Sequence, residues 1–167
     1  MGWWLAKHLP YSDPYSSRKP GAYPNLAHPD SRPLLPSVEL RTPSEGVEGP
    51  TVACCFAQYR MGKCDSNYYE NGRFTDPDYI EKSHTADSYL SRLQYFEACL
   101  KMLVIKIQNG ELGHIDTIIF PKYIGSGGAG GKWFDYRQII TEFATYVTSN
   151  NPNINVYVVF KKNELCK

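Results

Sequence analysis

The chain has 167 residues and carries 18 Lys and Arg against 17 Asp and Glu, a formal charge of +1. That length suits one domain with a buried core, and the lack of a basic stripe excludes the electrostatic footprint of a nucleic-acid binder. No apolar run approaches the ~18 residues of a membrane span, so neither nucleic acid nor membrane is an expected partner. The five cysteines (Cys54, Cys55, Cys64, Cys99 and Cys166) are odd in number and form no C-x-x-C. None has a histidine at metal-finger spacing, so no metal and no cofactor are expected. Cys54, Cys55 and Cys99 lie in apolar surroundings and read as small core residues. Unpaired thiols suit a reducing compartment, cytoplasmic or nuclear.

In chain order, residues 1–9 are apolar with Lys7 and His8 and read as the tail of a helix. Residues 10–50 hold nine of the twelve prolines. Proline fixes φ and removes a backbone donor, so this zone is a loop or insertion, with one short edge strand at residues 37–40. Thr51 to Tyr59 is a near-continuous apolar run and predicts a buried strand. Residues 60–83 are polar and aromatic, with turn signals at Asn71-Gly72 and Asp76-Pro77. Leu90, Leu93, Phe96, Leu100, Leu103, Val104 and Ile107 then recur at helical spacing, and Asn109-Gly110 stops that helix. Ile115 to Phe120 predicts a second buried strand, ended by Pro121. Trp133, Tyr136, Ile140, Phe143 and Val147 mark a second helix that ends near Asn151-Pro152. Ile154 to Phe160 predicts a last strand. Strand, helix, strand, helix, strand implies parallel strands joined by helical crossovers, with both sheet faces covered.

Between the second strand and second helix lies Gly125-Ser126-Gly127-Gly128-Ala129-Gly130-Gly131. Glycines permit positive φ and close backbone approach, so loop N–H groups and the next helix N-terminus can bind phosphate oxygens. Connections of this kind usually need 2–6 residues; five glycines in seven favour a ligand loop over a plain linker. Gly125-x-Gly127-x-x-Gly130 spells the dinucleotide fingerprint, yet only one strand follows it. Gly131-Lys132 resembles the end of a Walker loop, but Trp133 stands where a Ser or Thr must hold magnesium. Both readings fail on context.

The segment IIFPKYIGSGGAGGKW resembles the macro-domain pattern P-x-I-G-C/S-G-L-A-G-G-D-W. It agrees at Pro121, Ile124, Gly125, Ser126, Gly127, Ala129, Gly130, Gly131 and Trp133. Val52 to Gln58 is similar to that family's V-x-N-x-x-A-Q strand, and the helix with Arg92 and Tyr95-Phe96 falls between the two blocks. Gly2-x-x-Leu5-Ala6 resembles, faintly, the exit of the family's first glycine loop. The resemblance implies one domain over residues 1–167, a three-layer α/β/α macro-type fold with a mixed, mainly parallel sheet. It also implies an incomplete N-terminal part, since the family's opening strand, adenine-reading Asp and Asn-bearing loop have no counterpart here.

The implied ligand is ADP-ribose or a related nucleotide, and an ADP-ribosylated protein is the implied macromolecular partner. The implied ligand residues are Tyr123, Gly125, Ser126, Gly127, Gly128, Ala129, Gly130 and Gly131, with Gln58 at the end of the preceding strand. The Ala-Gly-Gly of the loop is closest to the ADP-ribose-1″-phosphate phosphatase-like branch. That leaves open phosphate removal from ADP-ribose-1″-phosphate, or reversal of ADP-ribosylation. Against the latter, Ala129 aligns with the loop aspartate of ADP-ribosyl-glutamate hydrolases; the loop also departs from the family pattern where Gly128 replaces the usual Leu and Lys132 the usual Asp. A macro-fold remnant serving as a non-catalytic interaction module is the alternative.

Residue by residue, Ser126 is either a phosphate donor or a turn serine, and Tyr123 either closes over a ribose or covers the sheet end. Trp133 reads as core, Gln58 as an orienting amide or a loop contact, and Asp65, Asn67 and Asp76 as solvated. His8 and His84 are the histidines within reach of a cleft; His28 and His114 are not. No Ser-His-Asp order and no paired carboxylates occur, so the catalytic residues are unknown.

Overall fold

A computed structural model of the chain describes residues 7–14, 33–58, 62–64 and 88–160. These form strands β1 (Ser37–Arg41) and β2 (Val52–Phe56), helix α1 (Tyr89–Gln108), strand β3 (Thr117–Pro121), helix α2 (Trp133–Asn150) and strand β4 (Asn155–Val159). The class is α/β. Lys7 and His8 are helical and lead into a 3-10 turn at Pro10–Ser12.

Helix α1 starts at a capping box. The Ser88 hydroxyl accepts from the Ser91 N–H, and the Ser91 hydroxyl accepts from the Ser88 N–H, filling orphan first-turn donors. It stops in a Schellman turn, with Gly110 at φ 71°. There Glu111 N–H donates to Lys106 O at 3.0 Å and Gly110 N–H to Ile107 O at 3.1 Å. Between the caps, Arg92, Phe96, Cys99, Leu100 and Leu103 form one buried stripe. On α2 the matching stripe is Tyr136, Ile140, Phe143 and Val147. The two stripes close on each other and on Phe120 and Ile154. Phe96 meets Tyr136 at 5.2 Å between ring centroids, and Phe143 meets Phe120 edge-on at 5.6 Å. Each such side chain contributes about 1.5–3 kcal/mol relative to exposure.

Strands β3 and β4 are parallel, with Ile119 opposite Tyr157, joined by α2 as the crossover rule expects. The sheet differs from expectation in two ways. The expected parallel sheet does not extend to β2, which pairs antiparallel with β1, Val38 opposite Cys55, as a separate two-stranded sheet. The proline-rich zone is free of proline from residue 37 to 42, and that window supplies a full partner strand. The second difference is coverage. Both helical stripes share one core on the face carrying Phe120, so the opposite face of β3 and β4 receives no helix among the described residues. Ile119 is 58% exposed and Tyr157 53%. The apolar run of β4 therefore does not mean burial on both sides.

Cys99 is buried and its thiol lies 3.3 Å from Ser37 O and 3.6 Å from Phe56 O, pinning α1 under the β1–β2 ribbon. Cys55 lies against it; its thiol is pushed far above the ordinary range by its hydrogen bond to Cys99 and by burial. Cys64 is buried as well. On the other side of the ribbon, Cys54 Sγ lies 3.7 Å from Ser12 O, and the Tyr11 hydroxyl donates to Pro50 O at 2.7 Å. Cys166, His28, His84, Asp65, Asn67 and Asp76 lie outside the described residues.

Candidate functional site

The parallel pair runs on past β3, where Lys122 N–H donates to Val159 O at 2.7 Å. The chain then enters the glycine loop at the carboxyl end of both strands, where open α/β sheets bind ligands. Tyr123 sits at φ 65°, in the left-handed region that costs a bulky residue free energy and persists when its surroundings enforce it. Enforcement comes from four contacts. Ile124 N–H donates to Pro121 O, the Tyr123 carbonyl accepts from the Ser126 N–H at 3.0 Å and hydroxyl at 2.9 Å, and the Tyr123 ring meets Trp133 at 5.7 Å.

Gly125 at φ 71° and Gly130 at φ 74° make the loop's sharp bends. Gly131 N–H closes the loop on Gly125 O at 3.1 Å, and Gly130 N–H bonds Gly127 O at 3.1 Å. Side chains are excluded at the two ends of the loop. A Cβ on Gly125 would enter the Tyr136 ring, and one on Gly131 would lie 2.5 Å from Tyr136 Cε2. At Gly127 and Gly128 the space is open. Among the described residues, no hydrogen bond uses the N–H groups of Gly125, Gly127, Gly128 and Ala129. Lys132, the N-cap of α2, supplies no side-chain cap; Asp135 N–H bonds Lys132 O at 3.1 Å, and among the described residues no hydrogen bond uses the N–H groups of Trp133 and Phe134. Donors of this kind at the positive end of a helix dipole suit an anion.

The candidate ligand residues thus divide. Gly125 to Gly131 form one closed turn beside the α2 N-terminus, with Tyr123 at its entrance, 44% exposed. The N–H groups of Ser126, Gly130 and Gly131 are spent inside the loop, and the Ser126 hydroxyl donates inward, which favours the turn-serine reading. Trp133 packs against the core as expected. Gln58 is exposed just beyond β2 and has no hydrogen bond to the loop among the described residues. His8 and His114 are exposed.

Several neighbours of the loop escape a motif reading. Arg92, 2% exposed, donates from Nη1 to Ala129 O at 3.1 Å and to Gly62 O at 2.7 Å. Lys63 lays its methylenes over Gly130, whose absent Cβ would be 2.6 Å from Lys63 Cγ. Lys122 Nζ lies 4.7 Å from the Tyr123 ring centroid and Lys132 Nζ 5.8 Å from that of Tyr89. Three lysines therefore border the loop, a local positive field within a nearly neutral chain. The nearby Asp135 accepts from the Tyr89 hydroxyl. Desolvation and that carboxylate push the Tyr89 pKa up to about 12, so Tyr89 stays neutral at ordinary pH. The legible signal for Arg92 was its place, four residues before Phe96 on the apolar stripe of α1. Lys63 had none, because segment 62–64 reaches the loop only through the fold.

Other concavities lie elsewhere. A groove of about 390 Å³ runs between α1 and α2, lined by Leu100, Val104, Ile139, Phe143 and Tyr146. Among the described residues, no group of three or more His, Cys, Asp or Glu side chains is placed to hold a metal ion. No described helix is long and apolar enough to cross a membrane. Compared with protein-family models, curated proteins and solved structures, the chain finds no match.

Proposed function

We propose that the Gly125–Gly131 loop binds the phosphates of ADP-ribose or an ADP-ribose derivative, within a macro-type α/β/α domain. The observation that carries this reading is a loop closed on itself at the carboxyl end of β3. Its unused N–H groups stand beside the uncapped start of α2, and lysines border it. The resemblance of the loop to the macro-domain pattern turns an anion site into an ADP-ribose site. Phosphate removal from ADP-ribose-1″-phosphate rests on that resemblance alone; the loop would contribute N–H groups that stabilise phosphoryl charge as water attacks. Residue 129 offers only a methyl group, and its carbonyl is held by Arg92, so the resemblance supplies no loop carboxylate in support of the aspartate-dependent hydrolase chemistry. The exposed face at Ile119 and Tyr157 favours a second reading, a macro-fold remnant that acts as an interaction module.

The test is thermal unfolding with ADP-ribose, with NAD and ADP as controls. Ligand at one hundred times its dissociation constant adds about 2.7 kcal/mol, a rise of roughly 5–11 °C for a domain of this size. A rise with ADP-ribose and little with NAD supports the reading. A cooperative melt that no nucleotide moves supports the interaction module.

A further inference from the structure

We infer that Arg92 is the positioning residue of the glycine loop, holding Ala129 and the Gly62 segment in fixed register behind the phosphate site. Arg92 occupies the first turn of α1 on the stripe that otherwise buries Phe96, Cys99, Leu100 and Leu103. A permanently charged guanidinium there is costly unless hydrogen-bonded. The carbonyls of Ala129, 37 residues away, and Gly62, 30 residues away, both accept from its Nη1. Hydrogen bonds to a charged donor are roughly twice as strong as neutral ones, so moving either carbonyl costs the buried guanidinium a charge-assisted hydrogen bond.

Two consequences bear on the site. The Ala129 oxygen is tied toward α1, which keeps its partial negative charge from turning toward an anion. Gly62 is tied to the same cation, and the next residue is Lys63, whose stem covers Gly130. One buried side chain thus sets both the loop path and the approach of a bordering lysine. A residue needed only for packing would be replaceable by an apolar chain of similar length. A positioning residue needs a cationic double donor at the place of Nη1, which Met lacks and the differently placed Lys ammonium supplies only in part.

The ligand half of this inference rests on the proposed function; the geometric half does not. The experiment uses the full chain with Arg92→Lys and Arg92→Met, read by amide hydrogen exchange and by ADP-ribose titration. Exchange is expected to quicken at 123–131 and 62–64 while the later turns of α1 stay protected. ADP-ribose affinity is expected to fall at least about tenfold with Met and less with Lys, as loss of a charge-assisted hydrogen bond implies. Loop exchange and affinity both unchanged, with only the melting temperature lowered, would overturn the inference. Quickened loop exchange in variants of a chain that ignores ADP-ribose would uphold the positioning role and sink the ligand reading. Should neither variant fold, the wild-type guanidinium decides by NMR. Resolved, slowly rotating Hη protons support the clamp, and one averaged signal refutes it.

Discussion

The two ends of the glycine loop should respond to a methyl group quite differently from its middle. At Gly125, φ is 71° and a Cβ would overlap the ring of Tyr136, a core residue packed on Phe96. Placing an L-residue in that conformation costs about 1–2 kcal/mol. Forcing the Tyr136 ring aside is over-packing, which costs about 1–3 kcal/mol. Gly125→Ala should therefore destabilise by about 2–5 kcal/mol. For a domain of this length each kcal/mol moves the melting temperature about 2–4 °C, so the fall should be about 4–20 °C. Gly127 and Gly128 have no positive φ and open space at the Cβ position. Alanine at either should change stability by no more than about 0.5 kcal/mol. Differential scanning fluorimetry on the three variants, with urea denaturation to check the midpoints, measures the contrast. If Gly125→Ala melts with the wild type, the loop is not held against Tyr136. If all three fall together, the loop is an undifferentiated glycine linker, and the reasoning from its closed turn is refuted.

Lys63→Met keeps methylenes over Gly130 and removes the charge. It should weaken ADP-ribose binding about two- to fivefold, the range of an exposed ion pair, and make the remaining affinity less sensitive to salt; unchanged affinity and salt slope would remove Lys63 from the site. At high pH, Tyr89 should be the late tyrosine, ionising near 12 rather than 10, with Asp135→Asn lowering that value. Because the folded value is raised, the associated stability is present below pH 10 and lost as pH rises toward 12. Ultraviolet titration of wild type and Tyr89→Phe checks it, and a wild-type curve without the late component counts against the Tyr89–Asp135 contact.

What was legible in the sequence follows from which forces are local. Helix α1 and helix α2 were readable because a 3.6-residue period of apolar side chains and a terminal Asn109-Gly110 are local facts, and each ended within a residue or two of expectation. The glycine loop was readable for the same reason, since five glycines in seven residues have few structural explanations. Pairing is not local. The run from Val52 to Phe56 looks the same whether it joins a parallel sheet beside β3 or turns to meet β1; the short edge strand expected at residues 37–40 was legible, forming as Ser37–Arg41, but its pairing with that run was not. Burial of a strand's second face is also non-local. Val156 and Tyr157 are adjacent apolar residues, but only the one facing α2 packs on the core.

The candidate site shows both limits at once. Its backbone donors come from one contiguous motif that Lys122 and Lys132 flank, whereas two more cations, Lys63 and Arg92, reach it from segments about 67 and 37 residues earlier in chain order, as the positions of Lys63, Arg92, Ala129 and Gly130 show. A motif can specify a loop that accepts an anion. Which charges surround that loop, and therefore how strongly it discriminates among anions, depends on the packing of α1 against α2 and on the segment that Arg92 ties beneath them.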